Sequence, residues 1–411
     1  MTQEKLVYSD KTNNEDGIHT DEPELRFPEF NNKWKEAQLK DISELTSSKR
    51  IYLSDYVENG IPFYRGAEIT SLKKNKTIKT DLYISDEKYY ELKNKFGAPK
   101  KGDILITGVG TLGNVYRIPD NNPFYFKDGN LIWLKDISEN ANFIEYYLDY
   151  KRSDILKLAI GSTQKALTIQ GLEKLKIKIP SCKEQKKIAS FLAEIDKKIE
   201  LLEKKYKNKL IFKEEFFNNY ISNMGDEIQK IKLESLIKIS SEKNKNNEDM
   251  QVLSISNKLG FISQEEQFED RIVASSDTKN YKIVKKGYFA YNPARINVGS
   301  IAQLKDYDEG IVSPMYVVFK IDEDLINPTF FENYISTNYF KIEILKRLEG
   351  SVRLVLSADS LKNIEINVPP LEEQEKISLF MDSLSKSIDL SKKELDKIKY
   401  FKKGLLQKMF I

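Results

Sequence analysis

The chain repeats itself. Placing Gly161 on Gly350 sets an offset of 189 residues (350 − 161), and that offset carries Gly161–Ser222 onto Gly350–Ile411 without a gap. Leu167 meets Leu356, Leu172 meets Leu361, Ile177 meets Ile366 and Pro180 meets Pro369. Glu184-Gln185 falls on Glu373-Gln374, followed by Lys187 on Lys376, Ile188 on Ile377, Phe191 on Phe380, Ile199 on Ile388 and Phe212-Lys213 on Phe401-Lys402. Two Lys-rich segments of similar composition would not also match their Gly, Pro and Gln residues. The front of each half echoes more faintly: Trp34, Leu39, Ile42 and Leu45 align with Ile228, Leu233, Leu236 and Ile239. Each half also carries a Lys-Gly step into an apolar stretch, KKGDILIT and KKGYFAY, and later a Gly before alternating apolar residues, GNVYRI and GSIAQL. A repeat of this length prescribes two copies of one unit, a globular domain followed by a long helix.

Pro180 and Pro369 stop whatever precedes them, and the segments that follow lack Pro and keep an apolar stripe at heptad spacing. In the first, Ile188, Ile195 and Leu202 alternate with Leu192, Ile199 and Tyr206; in the second, Ile377, Leu384 and Ile398 alternate with Met381, Ile388 and Leu395. These read as coiled-coil-like seams. About 40 residues make a rod of about 60 Å, and a single stripe on such a rod needs a partner. The nearest partner is the other copy, in an antiparallel pair. The globular parts read as α+β with irregular, β-rich sheets: ILITGVG, NVYRI, LIWLK, VGSIAQL and MYVVFK are strand-like, and NFIEYYLDYKRSDILKLAI and FFENYISTNYFKIEILKRL are helical. The expected organisation is a disordered tail over 1–24, a first domain over 25–180, a helix over 181–222, a second domain over 223–369 and a helix over 370–411.

Composition closes several routes. No run of about 18 apolar residues is present, and the polar opening has no apolar signal core, so the chain is expected in the cytoplasm. The single cysteine, Cys182, cannot form an internal disulfide or a thiolate cluster. The single histidine, His19, lies in a polar stretch, which argues against zinc chemistry and His-based catalysis. With 66 basic and 63 acidic residues the net charge is only +3, so charge alone does not announce a nucleic-acid binder.

Gly108-Val-Gly110-Thr-Leu-Gly113 spells GxGxxG after a strand-like run, the pattern of a dinucleotide loop. That chemistry needs a helix to open at the third Gly, whereas NVYRIPDNNPFYF follows, so a hairpin turn is expected. No Walker sequence occurs, and no Asn or Asp precedes Pro-Pro-aromatic as an adenine methyltransferase would need. Metal and cofactor sites are expected to be absent from this chain.

Several segments together resemble the specificity subunit of type I restriction-modification systems. They are PELRFPEFNNKW (23–34), GDILIT with GTLGNV, IPSCKEQKKIASFLAEIDKKI, VPPLEEQEKISLFMDSLSKSI and GLLQKMF (404–410), so the resemblance spans about residues 23 to 411. Ser181-Cys182 departs from Pro370-Leu371 of the second copy. The resemblance implies two target-recognition domains, each reading one half of a bipartite, asymmetric double-stranded DNA site, with the helices as spacer and docking surface for two methylation subunits. Those partners would hold S-adenosylmethionine and methylate adenine. Motor-nuclease subunits, using ATP and Mg, would join to cleave, and this chain would be non-catalytic.

Sequence is read at base edges by hydrogen-bonding side chains on loops, while Lys and Arg hold phosphates. On that basis the reading residues in the first domain would come from Ser47, Ser48, Lys49, Arg50, Tyr64, Arg65, Lys73, Lys74, Lys76, Thr107, Thr111, Asn114, Gln164 and Lys165. In the second they would come from Lys243, Lys245, Ser254, Ser256, Asn257, Lys258, Asn292, Arg295, Asn297 and Arg353. Arg65 and Arg295 stand out, each among Gly, Pro or aromatic residues suited to a rigid exposed loop. Two other readings are a coiled-coil scaffold without sequence-specific DNA binding and a small-molecule enzyme using the Gly108 loop.

Overall fold

The computed structural model describes the backbone of residues 7–8 and residues 22–78, 80–224, 228–257, 259–264, 277–350 and 353–411. His19, Lys258 and most of the stretch read as a tail lie outside them. Within that stretch, Val7–Tyr8 pairs antiparallel with Leu25–Arg26. The chain divides into two compact units, residues up to Leu201 together with Leu395–Ile411, and Leu202–Glu394.

The sequence repeat is a structural repeat. In the first unit Glu44–Thr46, Leu131–Lys135, Ile104–Thr107 and Val115–Arg117 form an antiparallel sheet in that spatial order. In the second, Ile237–Ser240, Val317–Ile321, Phe289–Tyr291 and Ile301–Gln303 form the same sheet in the same order. Each unit adds a two-stranded ribbon, Lys35–Gln38 with Lys176–Ile179 and Gln229–Lys232 with Glu365–Val368, whose last strand leads into the long helix. Paired helices cover each sheet: Ala141–Tyr150 and Arg152–Lys157 in one, Pro328–Ile335 and Asn338–Lys346 in the other. Asn140 and Asn327 cap the first helix of each pair, accepting from Phe143 N (3.0 Å) and Phe330 N (3.1 Å). The aromatic residues that follow, Phe143 and Tyr147 or Phe330, Phe331 and Tyr334, are buried and supply much of each core.

What differs is the insert. The first unit carries a second sheet of short strands, Tyr125–Phe126, Ile61–Tyr64, Tyr83–Ile84 and Tyr56–Val57, plus helices Gly66–Lys73 and Asp86–Phe96. The second carries two ribbons instead, Leu253–Ser256 with Gly260–Ser263 and Lys282–Lys285 with Glu309–Val312.

The repeated motif residues have structural duties. Gly161 and Gly350 adopt φ of +114° and +109°, and a Cβ there would lie 2.4 Å from the carbonyl oxygen of Gln164 and 2.5 Å from that of Arg353. Only glycine fits that loop. Gln185 and Gln374 are fully buried. Gln185 Nε2 donates to Pro180 O (2.9 Å) while its Oε1 accepts from Asn140 N (2.9 Å); Gln374 does the same with Pro369 O (2.8 Å) and Asn327 N (2.8 Å). The glutamine thus clamps the start of each long helix to the capped helix of its own domain. In the first unit the neighbouring Glu184 is buried and accepts from Arg26 (2.7 and 2.8 Å) and from Trp34 Nε1 (3.3 Å). Glu373 instead accepts from Tyr220 Oη (2.9 Å).

The long helices run Cys182–Ser222 and Leu371–Met409. Ile188, Leu192, Ile195, Leu202, Met381, Ile388 and Leu395 are buried, and Ile199, Tyr206, Ile377, Leu384 and Ile398 half-buried, as the heptad spacing predicts. In the second unit Phe216 packs on Phe380 at 4.7 Å, Lys213 Nζ donates to Ser385 Oγ (2.8 Å), and Lys209 Nζ donates to Ser387 Oγ (2.6 Å) and Ser391 Oγ (2.8 Å). Partner numbers rise as the first helix's numbers fall, so the segments are antiparallel. In the first unit Lys402 pairs with Asp196, which also accepts from Tyr146 Oη at 2.7 Å.

Candidate nucleic-acid interface

Two hairpin turns occupy the same place on the repeated sheet. Residues 108–113 link Ile104–Thr107 to Val115–Arg117, and residues 292–300 link Phe289–Tyr291 to Ile301–Gln303. Thr107 N donates to Asn114 O (3.0 Å) in one, and Asn292 N to Ser300 O (3.0 Å) in the other. A second loop braces each turn: Leu167 N donates to Gly108 O (2.9 Å) and Leu356 N to Pro293 O (3.0 Å). Leu167 and Leu356 are repeat equivalents, as are Gln164 and Arg353 on those bracing loops. The GxGxxG segment is therefore a hairpin turn, with Gly110 and Gly113 at φ of +77° and +70° and a strand, not a helix, after it. The helix N-terminus that a dinucleotide phosphate needs is not there.

The first domain sorts its candidates into inward and outward groups. Thr107 and Asn114 are buried: Thr107 Oγ1 donates to Thr111 O and accepts from Asn114 N, and Asn114 Nδ2 donates to Thr70 Oγ1 (2.9 Å). Ser48 is buried on Phe126 O (2.6 Å), and half-buried Ser47 donates to Leu131 O (2.9 Å). Buried Thr107, Asn114 and Ser48 hold loops together rather than face solvent, a correction to their reading as base contacts, and Ser47 spends its hydroxyl on the same framework. Lys73 is paired with Asp149, and Tyr64 is half-buried and stacked on Phe124. Burial raises the Tyr64 hydroxyl pKa. Lys49 lies over the Phe96 ring at 4.8 Å, and Arg50 reaches Asp128 at 3.4 Å.

Lys74, Lys76, Thr111, Gln164 and Lys165 are exposed. Arg65 is exposed but oriented, since Glu68 accepts from its backbone N (2.8 Å), Nε (3.2 Å) and Nη2 (2.7 Å). Burial works to raise the Glu68 carboxyl pKa, but the Arg65 hydrogen bonds outweigh it and hold it low. A Cβ on Gly66 would lie 3.9 Å from Val109 O, so Arg65 stands beside the 108–113 turn. Sequence reasoning missed Arg152, whose Nη2 donates to Leu112 O (3.2 Å) and fixes that turn; it belongs to no motif.

In the second domain Arg295, Asn297, Asn257, Lys245 and Arg353 are exposed, as is Lys243, which reaches Asn280 Oδ1 at 3.3 Å. Among the described residues the Arg295 guanidinium has no hydrogen-bond or ion-pair partner. Ser254 is buried and Ser256 half-buried in the 253–256 strand. Asn292, a candidate base contact beside Arg295 in the sequence, turns inward. Its Oδ1 accepts from Ala294 N (3.0 Å) and its Nδ2 donates to Met315 Sδ (3.5 Å). An Asn at the start of a turn serves its own backbone first.

The family model described as type I restriction modification DNA specificity domain matches the chain twice, at residues 31–210 and 225–400. The chain is 26% identical to the putative type I restriction enzyme MjaX specificity subunit of Methanocaldococcus jannaschii, covering 91% of this chain and 92% of that protein. It is 37% identical to the putative type I restriction enzyme specificity subunit S.HindORF215P of Haemophilus influenzae, where the match spans 41% of each chain. Its fold is similar to that of a type I restriction-modification S subunit from M. genitalium, with a TM-score of 0.58 at 18% identity, covering 95% of this chain and 99% of that one.

Proposed function

The chain belongs to the family of type I restriction-modification DNA specificity subunits, and from that premise we propose that each of its two domains reads one half of a bipartite, asymmetric double-stranded DNA site. The observation that carries this reading is the pair of equivalent hairpin turns, which share one framework and present different side chains. Arg65, Thr111, Gln164 and Lys165 belong to the first reading surface, and Arg295, Asn297, Asn257 and Arg353 to the second. Lys74, Lys76, Lys243 and Lys245 serve as phosphate contacts that fix register without specifying bases.

Two methylation subunits holding S-adenosylmethionine then act on adenine, and motor-nuclease subunits using ATP and Mg cleave unmethylated DNA. This chain supplies recognition and no reacting group. No described helix is long and apolar enough to cross a membrane, and work on cellular DNA fits a cytoplasmic location.

Mapping methylated adenines in cells with and without the chain tests the whole reading: one bipartite motif should vanish with it. No change would instead favour a scaffold without a sequence-specific role. Arg295→Ala should cost about 1–3 kcal/mol in binding and relax preference at one position of one half-site. Lys74→Ala should weaken all sequences about equally and lower the salt slope by about one.

A further inference from the structure

Arg295 does not stand alone on its turn. Leu259, Met315 and Val298, large apolar side chains on three separate loops, are 72%, 54% and 53% exposed. The fold brings those loops together. Val298 shares the Arg295 turn, its N donating to Arg295 O (3.1 Å), and Met315 is pinned there by Asn292 Nδ2 on its sulfur (3.5 Å). A Cβ on Gly299 would lie 3.9 Å from the Cβ of Asn257, in the Ser256–Gly260 turn that also carries Leu259. Guanidinium, carboxamides and apolar groups are therefore interleaved within one small surface.

A protein-docking patch concentrates apolar groups at its centre and polar groups at its rim. The major-groove edge of DNA alternates instead, with guanine acceptors for Arg, the adenine edge for Asn, and the thymine 5-methyl for an apolar side chain. The equivalent turn in the first domain exposes Gly110 and Thr111, and the exposed apolar side chain beside it, Leu156, sits on a covering helix, its Cδ2 3.4 Å from where a Cβ on Gly113 would lie.

We propose that the second domain reads a thymine methyl next to the base gripped by Arg295, with Met315, Val298 and Leu259 forming its apolar contact. This rests on the DNA-reading function above. The test uses the chain with its methylation partners and the bipartite duplex it prefers, each thymine replaced in turn by deoxyuridine. At one thymine in the half-site that Arg295→Ala relaxes, loss of the methyl should weaken binding about fourfold, the worth of one buried carbon. That sensitivity should disappear in Met315→Ala, Val298→Ala or Leu259→Ala, whose exposed side chains leave the fold alone. Sequence-specific binding with no deoxyuridine-sensitive thymine in that half-site would overturn the assignment, as would sensitivity that persists in all three variants. Absence of any sequence preference in the unmodified protein would overturn the DNA-reading function itself, and this assignment with it.

Discussion

The two units solve one packing problem with unequal means at their helix interfaces. In the first, Lys402 meets a carboxylate, Asp196, which also accepts the Tyr146 hydroxyl at 2.7 Å. In the second, the repeat equivalents are Lys213 and Ser385, and among the described residues the lysine donates only to that hydroxyl, at 2.8 Å. Burial pushes the Lys213 ammonium pKa below the usual lysine range; Glu332 and Asp382 work against that and Lys305 adds to it. Burial and the Asp196 charge raise the Tyr146 hydroxyl pKa. Repetition therefore preserves position and backbone geometry while leaving the polar chemistry free to diverge. One interface is charge-matched, and the other carries the half-buried Lys213 cation on a serine.

The largest test asks whether the seams are independent. Ile195 and Ile388 are 8% and 7% exposed, one in each unit. A carboxylate at either position is desolvated without a partner, so Ile195→Asp or Ile388→Asp should each cost several kcal/mol. Hydrogen exchange should show the loss confined to the unit that carries the change. Loss spread equally over both units would break the division into two.

Gly161→Ala and Gly350→Ala test equivalence where the two halves agree. Each forces a left-handed residue and a Cβ into a carbonyl oxygen, so each should cost about 1–3 kcal/mol in its own unit. Thermal melting with domain-resolved exchange measures both. Costs that differ severalfold would show that the shared glycine does not do a shared job.

The features that repetition preserves were the legible ones. Gly161 with Gly350, Gln185 with Gln374 and the heptad stripes all announced themselves by spacing, because a backbone constraint or a buried face admits few residue types. The reading surface was less legible. Thr107, Asn114, Ser48 and Asn292 are polar residues in turns, and such residues either face solvent or bond their own loop; sequence does not say which. The insert of the first domain was opaque for another reason: strands as short as Tyr56–Val57 and Tyr83–Ile84 have no period to detect. Asp196 and Lys402 pair across 206 residues, which only the antiparallel register makes visible.

Removing the charge match should cost the first unit less than a broken seam but more than an exposed substitution. Asp196→Ser strips Tyr146 and Lys402 of a partly exposed carboxylate partner, at about 1–2 kcal/mol. Equal stability after the change would mean the pair is ornamental.

The smallest effect runs in the opposite direction and decides whether the asymmetry matters. Ser385→Asp gives Lys213 the carboxylate its counterpart already has, and should stabilise the second unit by about 1 kcal/mol at neutral pH. The sign with pH follows from linkage. Lys213 titrates lower in the folded state than its ordinary 10.5, so between those values the unfolded chain holds more protons. The penalty for burying the ammonium is thus present in full below the folded value and is relieved as pH rises toward 10.5. Buried Tyr291 and Tyr334, with raised pKa values, work the other way above pH 10, but equally in parent and variant. The difference between parent and Ser385→Asp therefore isolates the lysine, and the variant's advantage should shrink as the pH approaches 10.5. An advantage that stays constant across that range, or no advantage at neutral pH, would mean that Ser385 already satisfies Lys213 and that the two interfaces are equivalent in energy despite their different chemistry.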